Sequence, residues 1–306
     1  MRILFMGTPD FAVASLRRLA ADGHQICGVF TQPDKPRNRN KVTFSPVKEF
    51  ALSQNLTVYQ PLSVKGKETL ALVRELAPEL IVVAAYGRLL PEELLNVPRY
   101  GSINVHASLL PKYRGAAPIN WAMLNGERET GVSIMYMAPE LDAGDVLRVA
   151  KTPIDPEETL RELWDRLAVL GAQALSETVP TLADGTAVRT PQDGSAATYA
   201  PMLSRQLSPI DWTRDRDAIR NQVRGLIPWP CATAELDGNR FKIYGTVPGR
   251  EASAVPGTVL AAGRGGIEVT CGDGRSLLIT ELQAEGGKRM AAGAYLLGHP
   301  MNLGNE

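Results

Sequence analysis

The sequence predicts an α/β domain built on a Rossmann-like, mostly parallel sheet with helices on both faces, followed by a small antiparallel β-barrel domain. Three observations lead there. Short apolar runs alternate with helix-period segments through the first half of the chain, as in RILFMG, TPDFAVASLRRLAADG and QICGVFTQ. From Ser204 onward the pattern changes to short strands between Gly-rich turns: CATAEL, RFKIYGTV, GTVLAA, GIEVTCG and SLLITELQ. The 306 residues are enough for two ordinary domains, each burying its own core.

Composition narrows the classes. Hydrophobic residues make up 44% and charged residues 22%, as in a soluble globular protein. No apolar run approaches the roughly 20 residues of a membrane span. The opening MRILFMG reads as a first strand and not a signal peptide, so a cytoplasmic location is expected. Cys27, Cys231 and Cys271 are scattered without CxxC or Cys/His spacing, which argues against a disulfide framework and a structural zinc. Lys plus Arg and Asp plus Glu are 33 each, so any nucleic-acid binding has to come from local patches.

RILFMG ends at Gly7, and the helix after it has apolar positions Phe11, Leu16 and Leu19 and a stop at Gly23. The turn between them holds one glycine and a proline where a dinucleotide site has G-x-G-x-x-G, which argues against NAD or FAD. QICGVFTQ is the second strand. DKPRNRNKVTFSP is a basic loop, and from Lys35 to Lys48 the chain carries Lys35, Arg37, Arg39, Lys41 and Lys48 with no acid between them. It is either a solvated charge run or a surface for phosphates. After the helix SPVKEFALSQN come the apolar runs LTVYQP, ELIVVAAYG and SINVHAS, separated by the helical KETLALVREL and PEELLNV. DPEETLRELWDRLAVLGAQALSETVPTLADG is a long helix with Asp155 at its N-cap and acids in its first turn. The first domain then covers residues 1–185, an ordered linker 186–203 and the second domain 204–306. The second domain has 12 basic and 11 acidic residues, so an RNA-binding face there requires Arg220, Arg224, Lys288 and Arg289 to lie together.

The chemistry sits in GSINVHASLLPKYRGAAPI and LDAGD. On a strand, Asn104 and His106 project from the same face. The strand stops before Pro111 and RGAAPINWAML begins a helix, so both groups sit near the carboxyl end of a strand, where open α/β sheets bind ligands. An amide N–H beside an imidazole suits acyl transfer, one group holding an oxyanion and the other handling a proton. Asp142, in a Gly-containing loop after the apolar GVSIMYM, can orient the imidazole and stabilise its charged form. The same Asn and His on an apolar strand also read as satisfied edge groups. No Ser or Cys nucleophile is required, and the transfer runs directly to an amine or water.

The stretches NVHASLLPKYRGAAPINWA and TGVSIMYMAPELDAGD resemble the folate-dependent formyltransferase superfamily, and the resemblance covers essentially the whole chain. It implies that Asn104, His106 and Asp142 form the catalytic set, that 10-formyltetrahydrofolate is the formyl donor and that no metal takes part. It also implies folate contacts from Ser108, Leu109, Leu110 and Pro111, and from Tyr86, Gly87 and Leu89 in AAYGRLLP, where Tyr86 and Leu89 equally read as core. The second domain would be OB-like. The acceptor would be methionyl initiator tRNA, met at its acceptor stem and 3′ end by Lys35, Arg37, Arg39 and Lys41, with Lys288 and Arg289 contributing from the barrel. Three places depart from the superfamily pattern: Asn38-Arg39-Asn40 in place of glycines around the central arginine, Asn120 in place of Gln, and Pro139-Glu140 where a Gly is common. Two other functions stay open. One is the same chemistry on an amino-sugar nucleotide or water, and the other is a noncatalytic RNA-binding protein.

Overall fold

The computed structural model describes residues 1–37 and 41–301, with the backbone alone for residues 35–37, 41 and 42. The first part runs β1 (Arg2–Gly7), α1 (Asp10–Ala21), β2 (Gln25–Phe30), β3 (Lys35–Arg37), β4 (Lys41–Thr43), α2 (Pro46–Ser53), β5 (Val58–Tyr59), α3 (Lys67–Leu76), β6 (Leu80–Ala84), α4 (Glu92–Leu95) and β7 (Ser102–His106). It continues with β8 (Arg114–Gly115), α5 (Pro118–Leu124), β9 (Glu129–Tyr136), β10 (Val146–Pro153), α6 (Leu160–Ala183) and β11 (Tyr199–Ala200).

The seven-stranded sheet has the order β10-β9-β7-β6-β1-β2-β5. From β5 to β7 neighbours are parallel, whereas β9 is antiparallel to β7 and β10 to β9. The expected mostly parallel sheet is present. In β1, Ile3 to Met6 are fully buried, as are Leu80 to Val82 and Ala84 in β6. Strands covered on both faces read as unbroken apolar runs, which is what RILFMG and ELIVVAA are. Helix α1 buries Phe11, Ala12, Ser15, Leu16 and Leu19 on one face, and Ser45 caps α2 by accepting from the Lys48 N–H.

Asp155 does not cap the long helix. Its Oδ1 accepts from the Glu157 N–H at 2.8 Å, closing a short turn, and α6 begins only at Leu160. An Asp side chain that bonds the backbone two residues on offers an alternative to the helix, and here that alternative delays the start.

Packing divides the chain into two units. The first comprises residues 1–119, 129–153 and 161–201, and the second 120–128, 154–160 and 202–306. The stretch expected as a linker is ordered. As far as Pro201 it belongs to the first unit, where Thr190 bridges Val146 and β11 pairs in parallel with β8.

The second unit contains α7 (Arg216–Gly225), β12 (Ala232–Leu236), β13 (Asn239–Glu251), β14 (Val259–Gly263), β15 (Gly266–Thr270), β16 (Arg275–Ala284), β17 (Met290–Ala291) and α8 (Ala292–Gly298). The strands form an antiparallel sheet in the order β12-β13-β16-β15-β14, with β17 on β16. Register shifts after Ile243, Gly245 and Pro248 in β13 are where such a sheet bends. Its core gathers Phe241, Ile243, Ile267, Val269, Ile279 and Leu282 with Val223 from α7 and Leu296 from α8. Among the described residues no helix is long and apolar enough to cross a membrane.

Candidate active site

Strand β7 ends in Asn104 and His106, with Asn104 in register with Val83 of β6 and His106 opposite Ser133 of β9. Asn104 is half-buried and His106 is 5% exposed. The His106 Nε2 lies 2.9 Å from the carbonyl oxygen of Tyr113. A carbonyl only accepts, so Nε2 carries the proton in the neutral ring and the lone pair resides on Nδ1. Nδ1 faces Asp142 Oδ2 at 3.7 Å, longer than a hydrogen bond and within ion-pair range once the ring is charged. The same Oδ2 accepts from the Gly115 N–H at 2.8 Å, which fixes the carboxylate.

Asp142 occupies the left-handed backbone region at φ 49°. Its loop is closed at Gly144, where an added Cβ would stand 1.9 Å from the Tyr136 carbonyl oxygen, so no side chain fits. The loop is also tied from outside. Gln192 Nε2 donates to the carbonyls of Asp142 at 2.8 Å and Gly144 at 2.7 Å, while its Oε1 accepts from Arg114 Nε at 3.1 Å and Nη2 at 2.9 Å. Arg114 is 4% exposed and also pairs with Glu140 at 3.3 Å. Pro139-Glu140, noted above as a departure, therefore contributes a carboxylate to a buried guanidinium.

The turn after β7 is held from below. Ser133 Oγ, fully buried, donates to the Ser108 carbonyl at 2.7 Å and accepts from the Leu110 N–H at 3.1 Å. Ser108 is itself buried, and its hydroxyl donates to the Lys112 carbonyl at 2.7 Å. Ser108 shapes the turn, while Leu109, Leu110 and Pro111 are half-buried at its surface. The turn after β6 lies on the adjacent strand end. There the Tyr86 ring is 1% exposed inside the core with Leu4, Met6, Val83 and Leu94, and burial pushes its phenol up. Gln32 Nε2 donates to the carbonyls of Tyr86 at 2.9 Å and Gly87 at 3.3 Å. Leu89 is 65% exposed. Of the two readings kept for this turn, folate contact and core, the Tyr86 side chain takes the core one, and Leu89 lies outside the core.

The basic residues divide. The backbones of Lys35, Arg37 and Lys41 lie in the β3–β4 hairpin, where Arg37 is opposite Lys41. Arg39, with Asn38 and Asn40, lies outside the described residues. Lys48 turns inward, paired with Asp34 and donating to Gln60 Oε1 at 2.8 Å. In the second unit Arg220 pairs with Glu157, Arg224 donates to the carbonyls of Asp155 at 2.9 Å and Glu158 at 3.1 Å, and Arg289 meets both Glu281 oxygens at 2.7 Å beneath the Tyr244 ring. Lys288 is exposed. Asn120, the other departure, donates to the Gly225 carbonyl at 2.8 Å within the second unit.

Sequence reasoning missed Arg114, Ser133 and Gln192. Arg114 and Ser133 fall inside the motif stretches without being singled out, and Gln192 stands in a segment with no periodicity to mark an inward side chain. The site as built offers an amide donor beside an imidazole whose free nitrogen looks at a fixed carboxylate. Such a group can stabilise charge on a carbonyl oxygen and accept a proton next to it.

Two family models match the chain in succession. The model described as Formyl transferase matches residues 1–179, and that described as Formyl transferase, C-terminal domain matches 202–300. The chain is 49% identical over 308 residues to the methionyl-tRNA formyltransferase of Geotalea uraniireducens, covering 100% of this chain and 97% of that one. It is 51% identical over 303 residues to that of Moorella thermoacetica, covering 98% and 97%. Among solved structures, the N-formyltransferase from Helicobacter canadensis, in complex with folinic acid and dTDP-3-aminofucose, matches with a TM-score of 0.69 at 18% identity, over 91% of this chain and 98% of that one. HypX from Aquifex aeolicus, in complex with tetrahydrofolic acid, matches with a TM-score of 0.64 at 20% identity, over 97% of this chain and 47% of that one. At such identities these two structures share the fold alone.

Proposed function

The chain belongs to the formyl transferase family, and on that premise we propose that it transfers the formyl group of 10-formyltetrahydrofolate to the α-amino group of methionyl initiator tRNA. The full-length identity to methionyl-tRNA formyltransferases supports the acceptor. The observation that supports the chemistry is the His106 imidazole, tied at Nε2 to Tyr113 and facing Asp142 with Nδ1, two residues along β7 from Asn104.

The residues around the site suit a folate. Two turns, 85–89 and 107–111, follow adjacent parallel strands and offer fixed backbone groups with exposed Leu89 and half-buried Leu109 and Leu110. A flat heterocycle with polar edges needs that pairing of apolar faces and backbone partners. Tyr86, Gly87 and Leu89 from one turn and Ser108 to Pro111 from the other would hold it, Tyr86 and Ser108 by main chain. When bound, 10-formyltetrahydrofolate supplies the formyl carbon, and tetrahydrofolate is released.

The α-amino group has an ordinary pKa of about 7.7 to 8, so a large share is already a free amine near neutral pH. Asn104 donates to the formyl oxygen as negative charge grows there. His106 accepts the proton shed by the attacking nitrogen at Nδ1, Asp142 balances the imidazolium charge, and His106 returns that proton to the departing nitrogen of tetrahydrofolate as its bond to the formyl carbon breaks. Lys35, Arg37 and Lys41 of the β3–β4 segment, with Arg39 between them in sequence, would meet the tRNA end, while Lys288 and Arg289 add contacts from the second domain. Asp142, Asn104 and His106 remain in place after turnover, with no covalent enzyme species.

The test is formyl transfer to charged initiator tRNA, with charged elongator tRNA and free methionine as controls. Transfer to initiator tRNA well above both controls is expected. Absence of transfer to any charged tRNA, with transfer to an amino-sugar nucleotide, would overturn the acceptor and leave the chemistry.

A further inference from the structure

We propose that Gln192, in the segment after α6, is a positioning residue for Asp142 and that Arg114 is its anchor. This rests on the function proposed above. The side chain bridges two parts of the site that are distant in sequence: its Nε2 holds the carbonyls of Asp142 and Gly144, and its Oε1 receives two N–H groups of the Arg114 guanidinium. All four bonds lie between 2.7 and 3.1 Å, and both donor hydrogens and both oxygen lone pairs are used. A glutamine amide is suited to this position because one end only donates and the other only accepts.

The neighbours of Gln192 share the task. Thr190 exchanges backbone bonds with Val146, by N–H to carbonyl at 2.8 and 2.9 Å, and Arg189 holds Asp145 at 3.0 Å from over the Tyr136 ring. Thr198 Oγ1 accepts from the Tyr113 N–H at 2.9 Å, next to the carbonyl that holds His106, and its own carbonyl accepts from the Arg114 N–H at 2.8 Å. One continuous strap, 189–200, thus fastens the Asp142 loop on one side and the His106 acceptor on the other. The strap acts together with the Gly115 N–H on the carboxylate itself, the left-handed Asp142 backbone and the side-chain-free gap at Gly144, which leave Oδ2 3.7 Å from Nδ1. Catalytic groups displaced by about 1 Å can lose on the order of 100-fold in rate.

Gln192→Glu separates positioning from folding. The carboxylate still accepts from Arg114, so the buried guanidinium keeps its partner, but it cannot donate to the two loop carbonyls. We expect kcat to fall about 10- to 100-fold, KM for 10-formyltetrahydrofolate and for the charged tRNA to stay within about threefold, and the melting temperature to fall by several degrees, since two loop carbonyls then face a carboxylate oxygen in place of a donor. The deciding measurement is the double variant with Asp142→Asn. If Gln192 acts through Asp142, adding Gln192→Glu to Asp142→Asn lowers kcat by no more than about twofold further, whereas independent effects multiply. Multiplicative losses, or a Gln192→Glu kcat within twofold of the parent, would overturn the proposal. If Gln192→Glu melts early, Gln192→Met in the same cycle decides by the same criterion. A parent protein that transfers formyl to no charged tRNA would refute the assigned function and not this role, which is then scored on whichever amine it formylates.

Discussion

Asn104 and His106 are two residues apart on one strand, and their losses should look different. Asn104→Ala removes the donor proposed to meet charge forming on oxygen, and a kcat loss of about 100- to 1000-fold with nearly unchanged KM is expected in steady-state assays. His106→Ala removes the proposed acceptor of the amine proton and, besides lowering kcat, should leave the Tyr113 carbonyl without its Nε2 donor. Gly144→Ala should behave like a loop mutation: the new Cβ meets the Tyr136 carbonyl, the loop shifts, and kcat falls while folate binding persists by equilibrium titration. Cys271 offers a chemical check on the second unit. Burial, with Asp273 beside it, pushes the thiol up to about 11, so alkylation at about pH 8 should spare it until denaturant is added. Rapid native labelling at Cys271 would contradict the packing. Asn104 and His106 were legible as candidates because polar groups interrupting an apolar run stand out, and Asp142 because it sits in a Gly-containing loop just after one. Arg114 and Gln192 were not, since their function lies in contacts across the chain that no local spacing encodes.

At the level of elements, the turn after β7 depends on a strand that is not its sequence neighbour. Ser133→Ala leaves the Leu110 N–H without its acceptor, and a loss of about 1 to 3 kcal/mol is expected from urea unfolding, with weaker folate binding because the turn loosens. The entry to the β3–β4 hairpin carries a pH dependence. Burial alone would raise the Asp34 carboxyl, but hydrogen bonds from Lys48 and Gln60 and the Lys48 charge outweigh it and hold the group below the usual carboxylate range. The stability that follows is present above the ordinary value of about 3.9 and is lost as pH falls through the lowered one. Asp34→Asn should therefore destabilise by up to about 1 kcal/mol at neutral pH, and the gap to the parent should close at the acid end of a melting series. Lys48 is engaged in that pair, so Lys48→Ala should lower stability, whereas Arg39→Ala should slow formylation of charged tRNA without changing the melting curve. Equal small rate losses in both, vanishing at low salt, would reduce the loop to diffuse phosphate attraction. Alternating apolar runs made the parallel strands legible. The reversal at β9 was not, because a strand covered on both faces has the same composition whichever way it runs.

For the whole molecule, cutting after Gly185 and cutting after Pro201 should give different fragments. The shorter one loses Gln192, Thr198 and the β11 pairing, so thermal unfolding should place residues 1–185 below 1–201. Neither should reach the stability of the intact chain, since residues 120–128 and 154–160 pack with the second unit and the Asn120 amide would lose the Gly225 carbonyl. Two packed bodies were legible from the change of pattern at Ser204, but the turn formers between 186 and 203 concealed that most of that stretch is structural. The β7–β9 ladder has a consequence for how such a chain can diverge. It sets His106 opposite Ser133 and Ile103 opposite Tyr136, and side chains along a strand alternate faces. Gaining or losing one codon inside Glu129–Tyr136 would turn Ser133 away from the turn it holds and carry the Asp142 loop out of phase with the imidazole. Point substitutions can accumulate along β9, but changes of length in this lineage should be confined elsewhere, as to the turn after α6. An insertion scan read out by growth on formylation-dependent translation would draw that boundary residue by residue.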